Sequence, residues 1–169
     1  MGKIKGGTNG ETRFVSGEHD AYRRLGVVHA RSILLHPPDT WIVADFLRGR
    51  GSHRVESFLH FHPQVSVEAM PDVKEITSGL PVRCWTVSFA GRRYVLAAYG
   101  NGHFELRKSR YSEQFGSRQL STALRWEWRG RIPMGMIQVL APVDAPLPRI
   151  AADWSRGSIE ISGSKFPLC

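Results

Sequence analysis

The side chains with chemistry to offer gather between residues 27 and 63, VVHARSILLHPPDTWIVADFLRGRGSHRVESFLHFHP. Side chains of a strand alternate between its two faces. In the last part of this stretch, Arg54, Glu56, Phe58, His60 and His62 therefore share one face, and His53, Val55, Ser57, Leu59 and Phe61 share the other. His60 and His62 can present two imidazoles to one metal ion or one substrate. No third ligand stands at a diagnostic spacing, so a half-exposed polar sheet edge is the simpler reading. Asp45 lies in a run, 41–47, that is otherwise apolar on both faces. An ionised carboxylate there needs a partner, because its desolvation is costly. Arg31 in the preceding strand and the local backbone N–H groups are the candidates, and a structural, hydrogen-bonded role is expected. Arg31, His60 and His62 are the candidate substrate-binding residues. No catalytic residue and no metal ligand is assigned.

A second aromatic and basic stretch lies at 122–129. Leu124, Trp126 and Trp128 face one way, and Arg125, Glu127 and Arg129 face the other. The tryptophans can form a platform for flat sugar faces, or they can fill the core between two sheets. The charged alternate face favours the core. The same alternation weakens a joint Trp–Arg platform for single-stranded nucleic acid. Several chemistries have no motif here. Gly49 and Gly51 are followed by a strand, not by the helix of a phosphate loop. There is no Cys/His zinc spacing and no Gly-x-Ser-x-Gly elbow. Cys84 and Cys169 do not make a disulfide framework, and Cys84 reads as a small buried hydrophobe.

The elements that must hold these residues are strands. Three runs, 27–36, 41–47 and 53–62, are separated by Pro37-Pro38-Asp39 and by Arg48-Gly49-Arg50-Gly51. Runs this short, rich in β-branched and aromatic residues and bounded by Pro and Gly, favour strands over helices. Further strands are expected at 65–69 before the Met70-Pro71-Asp72 break, in a hairpin of 82–89 and 92–99, at 103–108, 122–129 and 136–140, and at 158–162. Residues 109–121 read as a polar loop anchored by Tyr111 and Phe115. Residues 1–17 read as a flexible lead-in, with a short edge strand at 13–16, ahead of a single domain at 18–169. Helical periodicity is nearly absent. The expected fold is all-β, an antiparallel β-sandwich.

The 169 residues can bury one real core, and the composition is that of a globular protein. The net charge of +8 comes mostly from arginine, whose planar guanidinium grips carboxylates, sulfates and phosphates. An acidic polysaccharide is the expected partner, with nucleic acid the less favoured polyanion. No apolar run approaches the roughly 18 residues of a membrane span. The start, MGKIKGGTNGETR, has no apolar segment for a signal peptide. Read literally, this gives a cytoplasmic location, or a periplasmic one if the chain is part of a longer exported protein.

Several stretches, in order, resemble the C-terminal β-domain of the heparinase II/III-like polysaccharide lyases. They are His-Asp-Ala-Tyr-Arg-Arg-Leu at 19–25, Val-His-Ala-Arg-Ser-Ile-Leu at 28–34, Trp-Ile-Val-Ala-Asp at 41–45, Gly-Ser-His-Arg-Val-Glu at 51–56 and Phe-Leu-His-Phe at 58–61. Tyr111-Ser112-Glu113-Gln114-Phe115-Gly116 is similar to the family's Tyr-Ser-x-x-Tyr-Gly, and Ile132-Pro133 to its Leu-Pro. The resemblance implies a sandwich layer that packs, in full-length members, against an N-terminal α/α toroid. It implies cleavage of acidic polysaccharides by β-elimination. A base takes the C5 proton of a uronate, the uronate carboxylate is neutralised, and a Tyr or His protonates the leaving oxygen. In the family the catalytic Asn, His and Tyr belong to the toroid, and metal ligands come from Gly-His-x-His-Ala-Asp and Arg-x-x-x-His-Asn stretches. Neither stretch occurs in this sequence. No catalytic residue, metal ligand or cofactor is therefore carried over. His29, Asp45 and His53 match positions expected to be structural.

The sequence thus supports a lyase β-domain or truncated remnant, expected to be inactive alone. The alternatives are a stand-alone basic module for acidic glycan or nucleic acid, with salt-sensitive affinity, and a structural docking domain.

Overall fold

A computed structural model describes residues 4–71 and 80–168. The described chain is almost entirely strand. In order, the strands are β1 (Ile4–Asn9), β2 (Thr12–His19), β3 (Val27–His36), β4 (Thr40–Gly49), β5 (Ser52–His60), β6 (Ser66–Ala69) and β7 (Val82–Phe89). They continue as β8 (Arg92–Tyr99), β9 (His103–Tyr111), β10 (Gln119–Arg131), β11 (Met134–Pro142), β12 (Ile150–Asp153), β13 (Ser158–Ile161) and β14 (Ser164–Pro167). One 3-10 turn, Arg23–Leu25, joins β2 to β3. No helix among the described residues is long and apolar enough to cross a membrane.

All strand pairs are antiparallel. Eight strands form one large sheet in the order β1-β2-β3-β4-β11-β8-β7-β6. Two three-stranded sheets, β5-β10-β9 and β12-β13-β14, pack on its opposite faces. The expected β-sandwich is present, with the large sheet as its middle layer.

Strand periodicity builds these layers. On β4, Ile42, Ala44 and Phe46 join Ile137, Val139, Ile159 and Phe166 in the core beneath β12-β13-β14. Asp45 and Leu47 alternate to the other face, toward β5-β10-β9. There Leu47, Met134 and Met136 pack with Trp126, and Trp85, Val87 and Leu96 pack with Leu124. Trp126 is 3% exposed, and its indole N–H donates to the carbonyl of Asn101 at 3.0 Å. Trp126 is thus a core residue, not a sugar platform. Cys84 is likewise buried. The hairpin of β7 and β8 turns at Ala90 and Gly91, both at positive φ (48° and 75°), as a two-residue primed turn requires.

Two segments depart from the sequence-based expectation. Within residues 1–17, expected as a flexible lead-in with a short edge strand at 13–16, residues 4–9 form β1 and residues from Thr12 onward form β2, which runs to His19 and lies inside the large sheet between β1 and β3. All six residues of β1 are exposed, so this strand forms by backbone pairing and carries no burial pattern to read. Glycine favours that pairing, since a Cβ on Gly6 would lie 3.3 Å from the Phe14 carbonyl oxygen. The loop expected at 109–121 is shorter. β9 runs to Tyr111, β10 begins at Gln119, and Phe115 is fully exposed at the turn instead of anchoring it. Tyr111 does have a partner, the His62 ring, with centroids 4.9 Å apart. Residues 1–3, Asp72 and Cys169 lie outside the described residues.

Candidate functional site

A cleft of about 540 Å³ opens where the β5-β10-β9 sheet begins to cover the large sheet. His29, Arg31 and Asp45 line one wall, and His53, Val55 and Ser57 of β5 line the other. Trp126, Met134 and Met136 contribute apolar surface, and Tyr22 and Leu25 stand beside the 3-10 turn. A larger hollow of about 720 Å³ lies elsewhere, bordered by Pro37, Pro38, Pro146 and Pro148. The inter-sheet cleft is distinguished by its cluster of linked ionisable side chains.

Register builds that cluster. The Pro37-Pro38 turn pairs His36 with Thr40, and counting back along the ladder sets Arg31 opposite Asp45. Arg31 grips the carboxylate twice, Nε to Oδ1 at 2.8 Å and Nη2 to Oδ2 at 3.0 Å. His29 lies on the same face two residues earlier, and its Nε2 reaches Asp45 Oδ1 at 2.6 Å. β2 adds His19 directly opposite His29, with His19 Nε2 2.9 Å from His29 Nδ1.

The proton positions along this chain follow from its open end. The backbone N–H of Ala21 faces His19 Nδ1 at 3.3 Å, and a backbone N–H can only donate. His19 then carries its proton on Nε2 and donates to His29 Nδ1. His29 carries its proton on Nε2 and donates to Asp45. The chain runs one way, from an exposed histidine to a buried carboxylate.

Burial alone would raise the Asp45 carboxyl pKa. The hydrogen bonds from His29 and Arg31, with the guanidinium charge, outweigh that and hold it below the usual carboxylate range. In return the hydrogen bond to Asp45 raises the pKa of Arg31. The Asp45 carboxylate is thereby occupied by donors. The Arg31 side chain remains half exposed, so part of its donor edge is left for an anionic ligand.

The sequence-chosen residues separate into two groups. Arg31, His29, Asp45 and His53 line the same cleft, and His53 is tied by Nε2 to the Arg50 carbonyl at 2.9 Å. His60 belongs to the outer face of β5-β10-β9, where it bonds Ser109 Oγ at 3.1 Å across the small Ala123 and stacks beside Phe58. His62 turns toward Tyr111. The structure does not bring His60 and His62 to Arg31. Among the described residues, no group of three or more His, Cys, Asp or Glu is placed to hold a metal ion. Sequence alone assigns His19 no role. Its signal was the β2–β3 register, which is hidden when β2 is not recognised beyond residue 16.

The sequence profile of the heparinase II/III-like C-terminal domain matches residues 3–161. The chain belongs to this family. Its heparinase II/III-like fold is also that of solved structures. The heparan sulfate lyase HepC from Pedobacter heparinus superposes with a TM-score of 0.65 at 14% identity, over 98% of this chain and 27% of that one. A heparinase III superposes with a TM-score of 0.66 at 13% identity, over 98% and 26%. A further heparinase III gene product gives 0.63 at 17% identity, over 98% and 27%. At such identities these likenesses show the fold, and this chain spans about a quarter of their length. Comparison with curated protein sequences finds no match.

Proposed function

We propose that this heparinase II/III-like domain serves a lyase that cleaves acidic polysaccharides by β-elimination. It supplies binding and supporting surface, and turnover requires residues outside this chain. The observation that carries this reading is the arrangement around Asp45. Both donors aimed at the carboxylate leave it neutralised inside the cleft, so the wall offers the unused edge of the Arg31 guanidinium without a free opposing charge. A uronate carboxylate or a sulfate fits such a wall, since both accept charge-assisted hydrogen bonds. The net charge of +8 draws the same ligands.

β-Elimination needs three services: a base at the uronate C5, donors for the uronate carboxylate, and an acid for the leaving oxygen. The cleft residues suit the second, because Arg31 is held in a fixed plane by Asp45 and cannot be titrated. The base and the acid are expected from an α/α toroid partner, as the family resemblance implies. Heparan sulfate, named in one structural relative, is the substrate to try first. The test mixes the purified chain with heparan sulfate and follows the ultraviolet absorbance of unsaturated uronate products. The chain alone should bind without generating absorbance. Sustained turnover by these 169 residues would overturn the division of labour.

A further inference from the structure

Only part of the large sheet is covered by β5-β10-β9. The buried contacts of that layer fall on Val27 at the start of β3, on the Leu47 end of β4 and on β11, β8 and β7. On the same side, the surface of β2, of β3 from Arg31 onward and of the Trp41 end of β4 lies open. Val15 is 44% exposed, Ile33 36% and Trp41 46%, whereas Thr12, Leu34 and Ile42 on the other side of these strands are buried. The register lays the open residues out in rows. Val15, Ile33 and Val43 form one row, and Arg13, Leu35 and Trp41 form the next. Gly17, Arg31 and Asp45 form the row on the other side of Val15. The Arg13 and Arg31 rows are four residues apart, about 13 Å along the strands.

This is a flat surface with one exposed indole and a guanidinium at each end of an apolar strip. A pyranose presents its C–H groups on one flat face, which an indole can cover, while its carboxylate or sulfate groups project from the rim. Arginine takes such groups with paired hydrogen bonds. Arg13 makes no hydrogen bond or ion pair among the described residues, so its guanidinium is available. The only carboxylate in the three rows is Asp45, which is already held by Arg31 and His29. Charge complementarity therefore selects an anionic partner, and the exposed Trp41 indole in the Arg13 row fits the C–H face of a sugar ring.

We propose that the open face of β2, β3 and β4 is a binding track for an anionic oligosaccharide. Trp41 stacks on one sugar ring, and Arg13 and Arg31 hold acidic groups of the rings on either side of the Val15–Ile33 strip. The track runs into the inter-sheet cleft at Arg31. It rests on the reading of the domain as part of an acidic-polysaccharide lyase and deepens it by locating an extended subsite.

The test titrates the full chain with a heparan sulfate octasaccharide by calorimetry and by tryptophan fluorescence. Trp41→Ala should weaken binding by about tenfold, and Arg13→Gln should weaken it less and flatten its salt dependence. Trp41→Phe should retain most of the affinity but lose the fluorescence change, since a phenyl ring still covers a sugar face. Arg129→Gln, on the outer face of the other sheet, should bind as the wild type does. Thermal melts confirm that each variant is folded. Wild-type affinity in both Trp41→Ala and Arg13→Gln would overturn the track and leave the lyase-domain reading standing. Absence of any binding by the wild-type chain would overturn both.

Discussion

Arg31 and Asp45 face each other across the β3–β4 ladder and meet through two parallel hydrogen bonds of 2.8 and 3.0 Å. His29 also donates to this carboxylate at 2.6 Å, sharing Oδ1 with Arg31 Nε. A buried carboxylate held this way is costly to disturb from either side. Removing the charge leaves a guanidinium without its partner, and removing the donors leaves the charge desolvated.

Asp45→Asn should lower stability at pH 7 by about 3 kcal/mol, the low end for breaking a buried pair, because water screens the half-exposed Arg31. The pH dependence has a definite sign. The Asp45 carboxyl is held below its ordinary range in the folded protein, so its stabilisation is complete above about pH 4. It is lost as the pH falls from there through the lowered folded value. Urea unfolding from pH 7 to pH 3 should show the wild-type advantage shrinking only at the acid end. An advantage that stayed constant down to pH 3 would contradict the assignment.

On the outer face of β5-β10-β9, Glu127 is held by three arginines. Partial burial pushes its pKa up, but hydrogen bonds from Arg129, Arg54 and Arg125 pull it down to about 2. Carboxylate titration followed by NMR should find Glu127 still ionised at pH 3. Arg129→Gln and Arg54→Gln should each raise its midpoint. The stabilisation this carboxylate provides is present above the ordinary range and fades as the pH falls toward 2.

Gly135 lies where the sheet lets a ring approach its backbone. A Cβ there would fall 2.3 Å from Cζ3 of Trp154 and 2.5 Å from the carbonyl oxygen of Asp45. Trp154 is also stacked on Phe46, with centroids 6.3 Å apart. Gly135→Ala should cost about 1–3 kcal/mol by overpacking and should alter the near-ultraviolet circular dichroism. A neutral substitution would show that Trp154 has room to move.

Phe115 makes the opposite case. Fully exposed between β9 and β10, it should accept Phe115→Ser within about 0.5 kcal/mol, as measured by thermal unfolding. A larger loss would mean that the ring packs in solution.

The same contrast explains what could be read from the sequence. Ile42, Ala44 and Phe46 alternate with Asp45 and Leu47, and Trp126 alternates with charged neighbours, so burial wrote those strands into the pattern. The link from Arg31 to Asp45 was accessible because a short Pro-Pro turn sets the register between adjacent strands. β1 is exposed along its length and is held by backbone pairing, which no hydrophobic period records. His19 was missed for the same reason, since its partner His29 is found only through the β2–β3 register. His60 and His62 show the limit of spacing alone. Two residues apart on one face, they look outward, while the cleft is built on the other side of β5.

The most direct measurement compares two sugars of equal length. The chain is titrated with a heparan sulfate oligosaccharide and with an uncharged oligosaccharide, each at low and high salt. The domain of an acidic-polysaccharide lyase should bind the first and not the second, with affinity that falls as salt screens the arginines. Equal affinity for both, or no affinity for the acidic chain at low salt, would contradict the account.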